Sequence, residues 1–126
     1  MGRRKNTKLP LTEKVSKILS FVISKKAKDP VVLDMKGKSY FCDYFVICSG
    51  TSERHTRAIY EEAIKLSKKS RLKIHHCEDD HLSRWLLIDY FDVVLHIFNE
   101  EARKFYKIER LWKEAERLTP YQLKIY

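Results

Sequence analysis

The chain has 126 residues, 44% of them apolar, and a formal net charge of +9. That length supports one domain with a single core of a few helices and one sheet. No apolar run approaches bilayer length, and the basic start Met1 to Lys8 is not followed by an uninterrupted apolar segment, so a cytoplasmic protein without membrane contact is expected.

The charge is concentrated at one end. Residues 1–28 hold nine Lys or Arg against Glu13 alone, whereas the rest of the chain is nearly neutral. Residues 1–10 read as a flexible basic arm closed by Pro10, residues 11–118 as the folded domain, and residues 119–126 as a tail. Such an arm is either a solubilising tail or a phosphate contact, and Arg3, Arg4, Lys5 and Lys8 are its candidate RNA-contacting residues.

After the arm, Val15, Ile18, Leu19, Val22 and Ile23 recur at helical spacing and predict one buried helix face, with Thr12 as N-cap and Asp29-Pro30 beyond its end. "VVLDM" predicts a strand, "KGKS" a turn, and "DYFVICS" a second strand. A second helix follows Gly50, capped by Thr51 or Ser52, with Glu53 in its first turn and Ile59, Ala63 and Leu66 facing inward. "RLKIHHC", "RWLLID" and "DVVLHIF" predict three more strands, the last two joined at Tyr90-Phe91. A final helix starts at Asn99, buries Phe105, Ile108, Trp112 and Ala115, and stops at Thr119-Pro120. The expectation is an α/β single domain: a mixed five-stranded sheet with packed helices.

The last two strands carry the most information. Side chains alternate across a strand, and a two-residue turn at Tyr90-Phe91 pairs Asp89 with Asp92, Leu87 with Val94 and Trp85 with His96. One face is then aliphatic: Leu86, Ile88, Val93, Leu95 and Ile97. The other mixes Trp85, Leu87, Asp89, Asp92, Val94, His96 and Phe98. The first is a core face; the second resembles a recognition surface.

Catalytic and metal patterns are weak. The "SGTSERH" corner has neither of the glycine-rich phosphate fingerprints, and a strand-to-helix turn in which Gly50 takes an unusual backbone angle explains it more economically. The strand after the second helix offers no D-x-D pair, which argues against nucleotide transfer. In "HHCEDDH", His75, Cys77 and His81 have no second spaced ligand pair, so no metal is expected. Cys42, Cys48 and Cys77 are odd in number and flanked by apolar residues, as structural thiols are.

Three segments in order, "DYFVICSGTSERH" (Asp43 to His55), "WLLIDYFDVVLHIF" (Trp85 to Phe98) and "RKFYKIERLW" (Arg103 to Trp112), resemble the ribosomal silencing factor family, also called RsfS or Iojap. The resemblance implies a nucleotidyltransferase-like fold without catalytic residues, cofactor or enzymatic activity. It implies docking on the large ribosomal subunit through the universal ribosomal protein numbered fourteen, which blocks joining of the small subunit and lowers translation. Trp85 and Tyr90 match positions associated with that docking, and the basic partner surface suits Asp89 and Asp92. Where many members have glycine this chain has Phe91, which implies a longer or bulged turn. The alternatives are a residual nucleotidyltransferase, or an RNA-binding protein that uses its basic arm; self-association of the free protein as a homodimer is also open.

Overall fold

Val15, Ile18, Leu19 and Val22 line the buried face of α1 (Leu11–Ile23) in the computed structural model, which describes residues 11–37, 42–107, 110 and 116–118. Phe21 and, unexpectedly, Lys14 join them in the interior. Ile23 is 44% exposed because the helix stops there and the chain turns away through the positive φ of Lys26. Thr12 lies inside the first turn rather than capping it.

The strands are β1 (Lys28–Asp34), β2 (Tyr44–Gly50), β3 (His76–Glu78), β4 (Trp85–Asp89), β5 (Val93–Asn99) and β6 (Glu116–Leu118). Between them run α2 (Glu53–Lys69) and α3 (Glu100–Tyr106). The sheet order is β3-β4-β5-β2-β1-β6; β2 and β5 are parallel and all other pairs antiparallel. Every residue of β2 is buried, as a central strand covered on both faces requires.

Alternation divides the strand side chains between two cores. On one side α1 and α2 bring Ile18, Val22, Ile59 and Ala63 against Val46, Cys48, Leu86, Ile88, Leu95 and Ile97. On the other, Leu33, Phe45, Ile47, Val94 and Phe98 meet Ala102 of α3. The aliphatic face of the β4–β5 hairpin is therefore a core face, as expected.

Several expectations are corrected. The sheet has six strands, not five: residues 116–118, expected at the end of a helix, pair with β1 instead. Helix α3 is only seven residues long, because Lys107 takes a left-handed conformation and its N–H caps the Arg103 carbonyl. Phe105 consequently points outward, 78% exposed; Ile108, Trp112, Ala115 and the Thr119-Pro120 stop lie outside the described residues. The third strand is shorter and later than "RLKIHHC" predicts.

The hairpin register also differs. Trp85 pairs with Phe98, Leu87 with His96 and Asp89 with Val94. Tyr90 N–H donates to the Val93 carbonyl (2.8 Å), so the turn residues are Phe91 and Asp92. A shift of two residues preserves every strand side chain's facing, so the aliphatic face is the same in either register. Phe91 adopts φ 82°, a conformation that glycine takes without strain.

Candidate functional site

The mixed face of β4 and β5 is built around Trp85. Its half-buried ring packs 5.0 Å from Phe98, 5.9 Å from His96 and 5.0 Å from Tyr106 of α3. The indole Nε1 donates to His96 Nδ1 at 3.1 Å. Since indole nitrogen is only a donor, Nδ1 is the unprotonated nitrogen of a neutral ring. Burial pushes the His96 pKa down to about 3, which keeps that ring neutral at pH 7. The edge of Phe45 closes over His96 from below, at 4.4 Å.

Leu87 and Asp89 are also half-buried on this face. Asp89 Oδ1 accepts from the Phe91 N–H at 2.8 Å and braces the turn. Tyr106 is the member that sequence reading missed, because a longer helix would have turned its neighbour Phe105 inward. The signal was the "KFY" pair of adjacent aromatics, which cannot both face a core from one short helix. Phe105 and Tyr106 meet edge to face at 5.2 Å, so the aromatic surface continues from Trp85 onto α3.

Two expected docking residues, Asp92 and Tyr90, lie on the opposite side. Asp92 reaches toward α1, where its Oδ1 takes a hydrogen bond of 2.5 Å from Lys14 Nζ. Tyr90 follows Leu86 and Ile88 onto the aliphatic face and is 0% exposed. Its hydroxyl lies 2.8 Å from Ser67 Oγ, which itself donates to the Ala63 carbonyl, so the phenol is the donor. Burial raises the Tyr90 pKa. Asp89 and Asp92 thus form no shared carboxylate pair.

The corner after β2 closes on itself. Gly50 does not take a positive φ; a Cβ there would lie 2.5 Å from the Thr56 backbone nitrogen, so close helix approach requires the glycine. Thr51 N–H donates to His55 Nδ1 (2.9 Å), His55 N–H to Ser52 Oγ (3.0 Å) and Thr56 N–H to the Ser52 carbonyl (2.9 Å). His55 Nε2, which then carries the proton, donates to the Lys25 carbonyl at 2.7 Å. The N–H groups of Thr51, His55 and Thr56 are thereby engaged within the corner itself.

The "HHCEDDH" side chains are likewise engaged separately. His75 packs on Phe91, His76 bonds Glu78, and Cys77 bonds Tyr60. Arg57 holds Asp79 at 2.8 Å and keeps its pKa below the usual value, while Asp80 accepts from the Leu82 and Arg84 N–H groups. Among the described residues no group of three or more His, Cys, Asp or Glu is placed to hold a metal ion. Burial pushes the Cys48 thiol up to about 12. No helix among the described residues is long and apolar enough to cross a membrane.

An α/β domain with a mixed sheet and an aromatic face beside its hairpin is the class these features define. Residues 8–124 match the family model described as "Ribosomal silencing factor during starvation". The chain belongs to the ribosomal silencing factor family. It is 42% identical over 94 residues to the ribosomal silencing factor RsfS of Halalkalibacterium halodurans, covering 75% of this chain and 80% of that one. It is 30% identical over 101 residues to the mouse protein named mitochondrial assembly of ribosomal large subunit protein 1, covering 78% of this chain and 44% of that one. A crystal structure from Bacillus halodurans superposes with a TM-score of 0.75 at 36% identity, covering 85% of this chain and 97% of that one. Membership in this family makes translation regulation the general role.

Proposed function

We propose that the chain docks on the large ribosomal subunit with the Trp85 face, against the universal ribosomal protein numbered fourteen, and so blocks joining of the small subunit. One observation carries this reading: the indole N–H of Trp85 is satisfied internally by His96 while its ring remains part-exposed. Docking such a ring buries apolar area without stripping water from an unpaired donor, which is the economy of a good interface anchor. Leu87 extends the apolar contact, and Asp89 supplies complementarity to a basic partner. Tyr90, Asp92 and His96 act from beneath, by holding the hairpin and the indole in place. We read the chain as non-enzymatic, since the relatives it matches are named as silencing or assembly factors.

The test is sedimentation of the full chain with purified large subunits at physiological salt, followed by addition of small subunits. Co-sedimentation together with a reduced yield of joined particles is expected. Failure to bind would sink the docking reading. Binding with undiminished joining would sink the blocking step alone.

A further inference from the structure

A pocket of about 570 Å³ opens beside α3 on the face away from α1 and α2. Five cations line it, Arg103, Lys104, Lys107, Arg110 and Arg117, against the carboxylates of Asp29 and Glu100. Three separate elements bring those cations together: α3, the turn after it, and β6. Their convergence follows from the two features that sequence reading did not anticipate, the early stop of α3 and the sixth strand.

The place is also topologically distinctive. β2 and β5 are parallel neighbours, and their carboxyl ends meet at Gly50 and Asn99. The helix after β2 packs on one face of the sheet and the helix after β5 on the other. Chains that part in this way leave a crevice outside the strand ends, a recurrent position for ligands in open α/β sheets. Ser49, the penultimate residue of β2, lines this pocket.

Arg103 is set in advance. It is half-buried, and its Nη1 donates to Ser49 Oγ at 2.9 Å and to the Lys28 carbonyl at 3.4 Å. Held in this way, the Arg103 guanidinium fixes one positive charge of the pocket in place, with less side-chain entropy left to lose when a phosphate binds beside it. Lys104, Arg110 and Arg117 are exposed and add positive charge around it.

The lining discriminates among phosphate ligands. Among the described residues it includes no Phe, Tyr or Trp on which a nucleobase would stack. A site rich in cations and poor in stacking surfaces recognises backbone rather than base. We infer that this pocket is a phosphate site that seats the backbone of RNA. It stands apart from the Trp85 docking reading. Yet α3 carries both surfaces, Tyr106 against Trp85 and Arg103 in the pocket, so a protein contact and an RNA contact would sit side by side.

The test uses the full chain and a fluorescein-labelled RNA hairpin of mixed sequence, followed by anisotropy across a salt series. The triple variant Lys104→Gln, Arg110→Gln, Arg117→Gln is compared with Lys65→Gln, Lys68→Gln, Lys69→Gln on α2, which removes equal charge elsewhere. Each lost phosphate contact lowers the salt slope by at most about 0.9. The pocket variant is expected to bind at least about tenfold more weakly near 0.1 M salt with a flatter slope. The α2 variant should keep the affinity. Should the triple variant misfold, Lys104→Gln alone carries the same test at smaller amplitude. Equal losses in both triple variants would mean binding follows net charge only and would overturn the proposal, as would unchanged affinity in the pocket variant. Displacement of the hairpin by ATP or pyrophosphate at micromolar concentration would assign the site to a small phosphorylated molecule instead and overturn the RNA reading.

Discussion

Lys14, on the first helix, and Asp92, in the turn between β4 and β5, form an ion pair of 2.5 Å across 78 residues of chain. The Lys14 side chain is 1% exposed and Nζ also donates to the Tyr90 carbonyl at 2.7 Å. One buried cation thus pins the turn that Asp89 braces from the other face.

Removing one partner of a buried pair strands the other, and this commonly costs several kcal/mol. Lys14→Met, which keeps the stem's volume, should lower stability by roughly 3 kcal/mol in urea unfolding. Asp92→Asn keeps an acceptor and should cost less. A loss for Lys14→Met below about 1 kcal/mol would mean that water readily replaces the lysine.

The docking anchor is tested with Trp85→Ala, which should weaken large-subunit binding by roughly 2–4 kcal/mol, about thirtyfold or more. Trp85 also packs on His96, Phe98 and Tyr106, so the variant should lose some thermal stability as well. Asp89→Lys should slow association through like-charge contact. A folded Trp85→Ala protein that binds with unchanged affinity would move the docking surface elsewhere.

His96 gives a pH dependence. Its folded pKa, about 3, lies below the ordinary 6.5, so the unfolded chain binds the proton more readily. Stability should therefore be full above pH 6.5 and fall as pH drops toward 3. The slope from this one group is at most about 1.4 kcal/mol per pH unit. His96→Gln, which keeps an acceptor for the Trp85 indole, should flatten the curve between pH 6.5 and 4.5, above the usual carboxylate range. An unaltered curve would assign the acid sensitivity to other groups.

At Gly50 the expected cost comes from contact, not backbone angle. Gly50→Ala should destabilise the domain by roughly 1–3 kcal/mol through overpacking. A Cβ would meet Thr56 N and Cα at 2.5 and 2.6 Å as well as its hydroxyl oxygen, so Thr56→Ala, which removes the hydroxyl, should not rescue it. Full rescue would show that the side chain alone sets the limit.

The arm is assigned by its salt dependence. If Arg3, Arg4, Lys5 and Lys8 contact phosphates, removing residues 1–8 should flatten the salt slope of ribosome binding by at most about 0.9 per phosphate. An unchanged slope would leave the arm a solubility device.

The sequence by itself determined the element order through β5, the cap at Asn99 and the two-faced character of the hairpin. Each is a local matter: helix faces repeat every three or four residues, and strand alternation, which repeats every two, survives a register error of two. Only the tertiary structure decided that β2 and β5 lie side by side and that residues 116–118 become a strand. It alone turned Tyr90 inward, and it carried Asp92 from the mixed face to Lys14. These outcomes depend on which distant group offers a partner. The amphipathic period of the last segment did not reveal that Lys107 would end α3, or that a sheet edge at β1 was waiting for three more residues. Nor could charge counting place Arg103 beside Ser49, because that contact joins residues 54 apart and forms only after the sheet and α3 have packed.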